Sequence, residues 1–498
     1  MAETLKLCFV SRHTRVASLV CAIAGLAACS VGPNYVRPPV ETPPAYKEAQ
    51  QWKQAEPRDE RPRGDWWEVF NDGELNALVT QVAITNQTIK AAEARVREAR
   101  ALTQAARAAF FPIVTANASA TRSGGRGGTS VGGSVDATGG SSGGVRNNYN
   151  VSLDVNWEID LWGRVRRTVE ASEATAEASA ADLESAKLSA QAQLAEDYFL
   201  LRAQDAQIRL LNDTVGAYER SLQLTRNQYA VGVVGRADVA QAETQLKSTH
   251  AQAIDATVQR AQLEHAIAIL IGKPPAEFSL AAETVPTVFP VIPVELPSEL
   301  LERRPDIAAA ERRAAAANAQ IGVAESAFFP SLTLSATGGF QSSVLSQLFS
   351  LPSRFWSLGP ALAQVIFDAG LRRAQTAQAI ATYDENVANY RQTVLTGFQE
   401  VEDNLAALKI LEQEAAVQDE AVKAARESLA IVLNQYRAGT ANYLAVVVIQ
   451  AAALSNERTA ISILGRRLSA SVALIKALGG GWKEAAAATA DRQPGRRG

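Results

Sequence analysis

Leu194, Leu201, Ile208, Val215, Leu222 and Tyr229 stand at strict seven-residue spacing, in a stretch with no proline between Gly163 and Pro274. Val401, Leu408, Ala415, Val422, Leu429 and Tyr436 repeat the pattern 207 positions later. A sustained seven-residue apolar repeat predicts long helices supercoiled on one another. The first helix should run for about 65 residues, and at about 1.5 Å per residue that is about 100 Å, more than a globular domain needs. Near Gly232 and Gly439 the chain is expected to turn back into a second long helix. Each half is then a coiled-coil hairpin.

The halves are copies of one unit. Gly163, Tyr229, Gly232 and Gly272 have counterparts 207 positions on, at Gly370, Tyr436, Gly439 and Gly479. Upstream of each hairpin an Ala-rich helix stops at Phe-Phe-Pro: Phe110-Phe111-Pro112 in the first copy and Phe328-Phe329-Pro330 in the second. Proline disfavours helix in the residue before it. In the first copy helical periodicity runs from Leu75 through Leu78, Val82 and Ile89 to Ala109. Alternating runs follow, which predict strands: Leu332, Leu334 and Ala336 against Ser331, Thr333 and Ser335 in the second copy. In the first, Val151, Leu153, Val155, Trp157 and Ile159 alternate with Ser152, Asp154, Asn156, Glu158 and Asp160. One face is apolar and the other can be wet. The Gly/Ser-rich stretch from Ser123 to Gly144 lacks the Lys-Ser/Thr ending of a phosphate loop and reads as a surface loop.

The net charge of −3 leaves no basic field for nucleic acid. Cys8, Cys21 and Cys29 all fall in the first 29 residues, so the rest of the chain holds no disulfide and no cysteine metal site. His250 and His265 would lie roughly 22 Å apart on one helix, too far to share a metal. Glu400, Glu402 and Asp403 cluster on a long helix, where a solvated or tube-lining face is expected. No spacing nominates a catalytic set, a cofactor or a metal site. No Gly-rich motif supports nucleotide-driven pumping.

Residues 1–28 read as a secretory signal. Leu26-Ala27-Ala28-Cys29 resembles a bacterial lipoprotein cleavage site, which makes Cys29 the expected first mature residue and lipid carrier. Ser30 follows where inner-membrane lipoproteins carry aspartate. Residues 29–73 form a proline-rich extended segment. The first repeat spans 74–272, a linker 273–297, the second repeat 298–480 and a disordered tail 481–498.

Pro297-Ser298 to Pro305-Asp306, then Glu311, Ala317-Asn318-Ala319, Ile321-Gly322 and Phe329-Pro330, resembles the central signature of the outer-membrane efflux proteins, the TolC-like outer membrane factors. The lipoprotein, NodT-like branch is the most similar. Trp66-Trp67 with Phe70 and Asp72, and Phe398 to Asn404, extend the likeness to about Cys29–Gly480. Independently of it, an open four-stranded sheet cannot sit in lipid, where every backbone group must be paired, and membrane barrels have at least about eight strands. One chain therefore cannot close a barrel.

The resemblance implies a mixed α+β membrane protein: a tandem repeat of coiled-coil hairpins forming an α-barrel, with four strands per chain entering a shared trimeric β-barrel. It implies a homotrimer in the bacterial outer membrane, lipid-anchored, with a periplasmic helical tube. Its partners would be a periplasmic adaptor and an inner-membrane transporter of the RND type. The expected function is a passive exit duct for drugs or other toxic small molecules. Protein export through such a duct is the alternative within that class, and a lipid-anchored coiled coil without a pore is the alternative outside it. The adaptor would dock on the hairpin tips, around Tyr229, Gly232, Gly235, Tyr436, Gly439 and Tyr443. Val151, Leu153, Val155, Trp157 and Ile159 would face lipid. Where the family carries gate acids this chain has Ala445 and Val448. The closed end is expected to rest on apolar packing of Val446, Val447 and Val448, with Asp238 free to pair with Arg236 or a neighbouring helix.

Overall fold

The computed structural model describes residues 30–47, 65–124, 145–283 and 303–480. Cys29, most of the glycine-rich stretch, most of the linker and the C-terminal tail lie outside them. The chain divides into two compact units, each holding parts of both repeats. One comprises Met1–Arg37, Glu98–Ala176 and Arg312–Val387; the other comprises Pro38–Arg97, Glu177–Glu311 and Ala388–Gly498.

The duplication holds to the residue. After a 3-10 turn at Trp66–Phe70 come α1 (Gly73–Thr85) and α2 (Gln87–Ala108), then α3 (Arg164–Ala230) and α4 (Arg236–Leu270). The second repeat supplies α5 (Pro305–Ser326), α6 (Leu371–Arg437) and α7 (Tyr443–Ala477). Helices α2 and α5 both have 22 residues, α3 and α6 both 67, and α4 and α7 both 35. Both hairpins turn on a glycine in the left-handed region, Gly232 at φ +75° and Gly439 at φ +76°. There Val233 N–H donates to Gln228 O (2.9 Å) and Thr440 N–H to Gln435 O (2.9 Å), so the last carbonyls of each long helix are satisfied.

The continuous helix expected from Leu75 to Ala109 is broken at Asn86. The Asn86 carboxamide oxygen accepts from Thr88 and Ile89 N–H (2.9 and 3.1 Å), and its Nδ2 donates to Leu270 O (2.8 Å). A side chain that caps one helix and ties it to the end of another outweighs the continuing apolar period. In the second repeat Arg304 precedes α5 as Asn86 precedes α2, and its Nη1 donates to Ala477 O (3.1 Å) at the matching end of α7.

Seven-residue spacing translates into burial. In the second unit Leu194, Leu201, Val401 and Leu408 join a core with Phe70, Val79, Phe199 and Phe398. Beside it lies an ionic network that the sequence did not announce. Arg202, with no exposed surface, donates to Asp205 Oδ2 (3.2 Å), to Ala281 O (2.7 Å) and to the Glu74 carboxylate. Arg260 donates to Asp205 Oδ1 (2.7 Å) and Leu280 O (2.6 Å). These contacts bind the extended segment at Leu280 and Ala281, after α4, back onto the helices. Glu400, expected on a solvated or tube-lining face, keeps its side chain 43% exposed and also accepts from Arg304 Nη1 at 2.5 Å.

In the first unit β1 (Ile113–Ser123), β2 (Arg146–Ile159), β3 (Ser331–Ser342) and β4 (Arg354–Ala363) form one antiparallel sheet in the order β1-β2-β3-β4. The repeats meet along β2 and β3, and among the described residues β1 and β4 are its two unpaired edges.

Candidate functional site

Opposed residues of adjacent strands share a face, so the register sorts the side chains of the sheet. Val155 lies between Val114 and Ala336, and Trp157 opposite Leu334, which is itself opposite Pro360. Val151, Leu153, Val155, Trp157 and Ile159 thus share a face with Val114, Ala116, Leu332, Leu334, Leu358 and Leu362. Leu153 is 56% exposed on it. The opposite face is polar. Asp154 lies between Thr115 and Thr337, and its Oδ2 accepts from Asn117 Nδ2 (2.6 Å) and from the Ser152 hydroxyl (3.0 Å). A sheet apolar on one side, hydrogen-bonded and polar on the other, and open at both edges suits a wall between lipid and water once its edges are covered.

The segment after Cys29 is strapped to the first unit. Val31 N–H donates to Trp162 O (3.0 Å), and Asn318 Nδ2 donates to Pro33 O (3.0 Å). Arg167, almost wholly buried, donates to Val31 O (3.2 Å), Gly32 O (3.1 Å) and Asn34 Oδ1 (3.0 Å). A side chain at Gly322 would strike Val31 O. The Trp162 ring stacks on Phe329 (centroids 4.8 Å apart) and donates to Pro330 O (2.8 Å). Val31 and Gly32 are thereby held beside the junction between β2 and α3. Nothing in the sequence motif marked Arg167 for this role.

The hairpin ends revise the sequence reading. Tyr229 is 44% exposed, and Val231 and Val233 beside it are exposed. Tyr436 and Tyr443 are each only 2% exposed, so neither ring can serve as a docking surface. They pack together (centroids 5.5 Å apart) in a core with Tyr218, Leu222, Val239 and Val446, and the Tyr436 hydroxyl lies 3.0 Å from the Thr225 hydroxyl. Burial pushes both phenols above the usual tyrosine range.

The three valines also separate, because successive helical residues point about 100° apart. Val446 is fully buried in that core, Val447 is half-buried, and Val448 is exposed with Leu444 one turn away. They cannot form one plug. Asp238 is not free either. Its carboxylate accepts from Gly235 N–H (3.1 Å) and caps α4. At the matching place in α7 the cap is reversed: Asn442 Oδ1 accepts from Ala445 N–H (2.9 Å). The acid absent at Ala445 is thus replaced, as a cap, by Asn442.

Helix α7 is long and apolar enough to cross a membrane by composition, but Glu457, Arg458, Arg466 and Arg467 interrupt its length, and Ile463, Leu468, Val472 and Leu474 of its second half join the core. Among the described residues no group of three or more His, Cys, Asp or Glu side chains is placed to hold a metal ion.

The family model described as "Outer membrane efflux protein" matches residues 78–273 and 296–480, well over half of the chain. The chain belongs to the outer membrane efflux protein family. Among its relatives, this efflux protein is 33% identical over 468 residues to the probable efflux pump outer membrane protein TtgC of Pseudomonas putida, covering 92% of this chain and 94% of that one. It is 31% identical over 472 residues to the outer membrane protein OprJ of Pseudomonas aeruginosa, with 94% and 96% covered. Among solved structures it resembles the outer-membrane channel OprN (TM-score 0.83, 32% identity, 91% of this chain and 100% of that one). It also resembles the CmeC outer membrane channel of Campylobacter jejuni (TM-score 0.84, 25% identity, 92% and 96% covered). The efflux protein is therefore an outer-membrane protein of a family of channels, not of enzymes, and its fold is the helical-hairpin and strand fold of those channels.

Proposed function

We propose that this efflux protein is the passive exit duct of a tripartite efflux system, a homotrimer whose three four-stranded sheets close one twelve-stranded β-barrel. The observation that carries this reading is the sheet itself. Its apolar face is continuous across four strands, yet both edges are bare, a state that lipid does not tolerate. The hairpins of the two repeats, 74–272 and 298–480, extend the duct as a helical tube into the periplasm. The relatives are named for efflux of antibiotics and toluene, and small toxic molecules of that kind are the proposed cargo.

Cys29 carries the lipid, and Arg167 straps the segment that follows it, at Val31, Gly32 and Asn34, to the first unit. Energy comes from partners, a periplasmic adaptor and an inner-membrane transporter of the RND type. The adaptor docks around exposed Tyr229, Val231 and Val233, with Gly232, Gly235 and Gly439 permitting close approach. The exposed pair Leu444 and Val448 replaces the three consecutive valines as the apolar constriction. No acidic ring stands at Ala445 or Val448.

Mass measurement tests the assembly. Protein extracted in mild detergent should have the mass of three chains, each lacking residues 1–28 and carrying acyl mass on Cys29. A monomer contradicts the shared barrel, and an unmodified Cys29 thiol contradicts the anchor.

A further inference from the structure

The two hairpins of the sheet are copies in register. Val114 opposes Val155 in β1–β2, and Leu332 opposes Leu362 in β3–β4. From Val114 to Leu332 is 218 positions and from Val155 to Leu362 is 207; the same two offsets generate every β3–β4 pair from a β1–β2 pair. Inside one chain the first repeat meets the second along β2 and β3. The converse meeting, second repeat against first, has no partner among the described residues, because β4 and β1 are the edges.

We infer that β4 pairs antiparallel with β1 of a neighbouring copy in a single register, with Leu362 opposite Ala118 and Ile366 opposite Val114 of that copy. The inference rests on the proposed trimer and specifies the seam that closes it. The register follows by moving the β2–β3 pairs with the same offsets. Val155 opposite Ala336 becomes Leu362 opposite Ala118, and Ile159 opposite Leu332 becomes Ile366 opposite Val114.

Three features of the edges agree with this register, the first two with its parity and the third with its extent. The first is the direction of the backbone groups, which alternates along a strand. Asp154 O is reached by the Thr115 hydroxyl from β1 (3.5 Å), whereas Val151 O lies against Gly339 in β3. The Ser331 hydroxyl reaches Ala363 O (3.5 Å). Even-numbered residues of β1 and of β4 therefore turn their N–H and C=O to the open edges, and the inferred seam sets even against even. The second feature is the faces. Leu358 and Leu362 share the apolar face with Val114, Ala116 and Ala118, and the seam keeps them together.

The third is exposed apolar surface at the end of β4. Strand β2 runs on to Ile159, its last three residues pairing with β3 alone. Its copy β4 stops at Ala363, three residues short of Ile366, and Ile366 is 87% exposed. With Val114 of a neighbouring copy alongside, Gln364–Ile366 gain the partner that Trp157–Ile159 already have. Pro360 turns its ring nitrogen to this edge and removes one ladder bond, a position where proline is tolerated in a sheet.

Disulfide trapping reads the register directly. Ser119 and Ala361 would be a non-hydrogen-bonded pair, with Cα atoms about 4.5 Å apart, within disulfide reach. Ser119→Cys combined with Ala361→Cys should shift the full-length, membrane-extracted protein from monomer to covalent trimer on non-reducing gels, and the single variants should not shift. Ser119→Cys with Gly359→Cys or with Ala363→Cys, each displaced by two residues to about 7–8 Å, should stay monomeric. A trimer by mass in which a displaced pair crosslinks, or in which none of the three pairs does, overturns this seam while leaving the shared barrel standing. A protein that is not trimeric by mass removes the barrel first.

Discussion

Replacing Arg202 with methionine is expected to destabilise the efflux protein by about 3–5 kcal/mol, the usual cost of removing one partner from a buried ion pair. The reason is geometric. Asp205, with its side chain 1% exposed, keeps Arg260 and a long contact from Glu283 N–H (3.4 Å), while Ala281 O and the Glu74 carboxylate lose their donor. The helices and the segment after α4 lose a shared fastening point. Chemical denaturation of the purified protein should show a lower midpoint with little change in slope. Arg426→Met makes the contrast. Its ion pair with Glu457 is largely exposed on the arginine side, and exposed pairs contribute about 0–1 kcal/mol. Equal losses in the two variants would contradict the role assigned to Arg202.

Val155→Arg should cost about 2–4 kcal/mol if Val155 lies near the bilayer midplane on the lipid face. Val155 sits between Val114 and Ala336 on the apolar face, so a guanidinium there has no partner within its own sheet. Asn156→Arg, one residue on, points to the polar face with Ser335 and should be tolerated. The readout is the fraction of chain recovered as folded oligomer from the outer membrane. Equal tolerance at the two positions would reject the assignment of faces.

Much of this architecture is legible in the sequence because it is periodic. Two copies offset by 207 residues, seven-residue spacing and strict alternation are local patterns, and they predict helices, strands and hairpin turns. What escaped depends on neighbours distant in the chain. Tyr229 and Tyr436 occupy the same place in the two copies, yet Tyr229 is exposed and Tyr436 is buried against Thr225 and Tyr443. No period distinguishes them. Arg202, Asp205 and Arg260 look like ordinary helix-surface charges until the chain folds back at Leu280 and Ala281.

Two of these features follow from local rules. Helical geometry alone separates Val446, Val447 and Val448 onto different sides. Asn86 carries a helix-cap signal that the run of apolar residues masked. The role of Arg167 was not legible, since its partners are the backbone carbonyls of Val31 and Gly32.

Current through the purified, full-length trimer in a planar bilayer tests the exit-duct reading most directly. The account predicts discrete conductance steps. With no acid at Ala445 or Val448, multivalent cations on the periplasmic side should block them weakly, and Val448→Asp should bring strong block. A protein that inserts as a trimer and never conducts would contradict the duct, and a wild type blocked as strongly as Val448→Asp would place an acidic ring elsewhere.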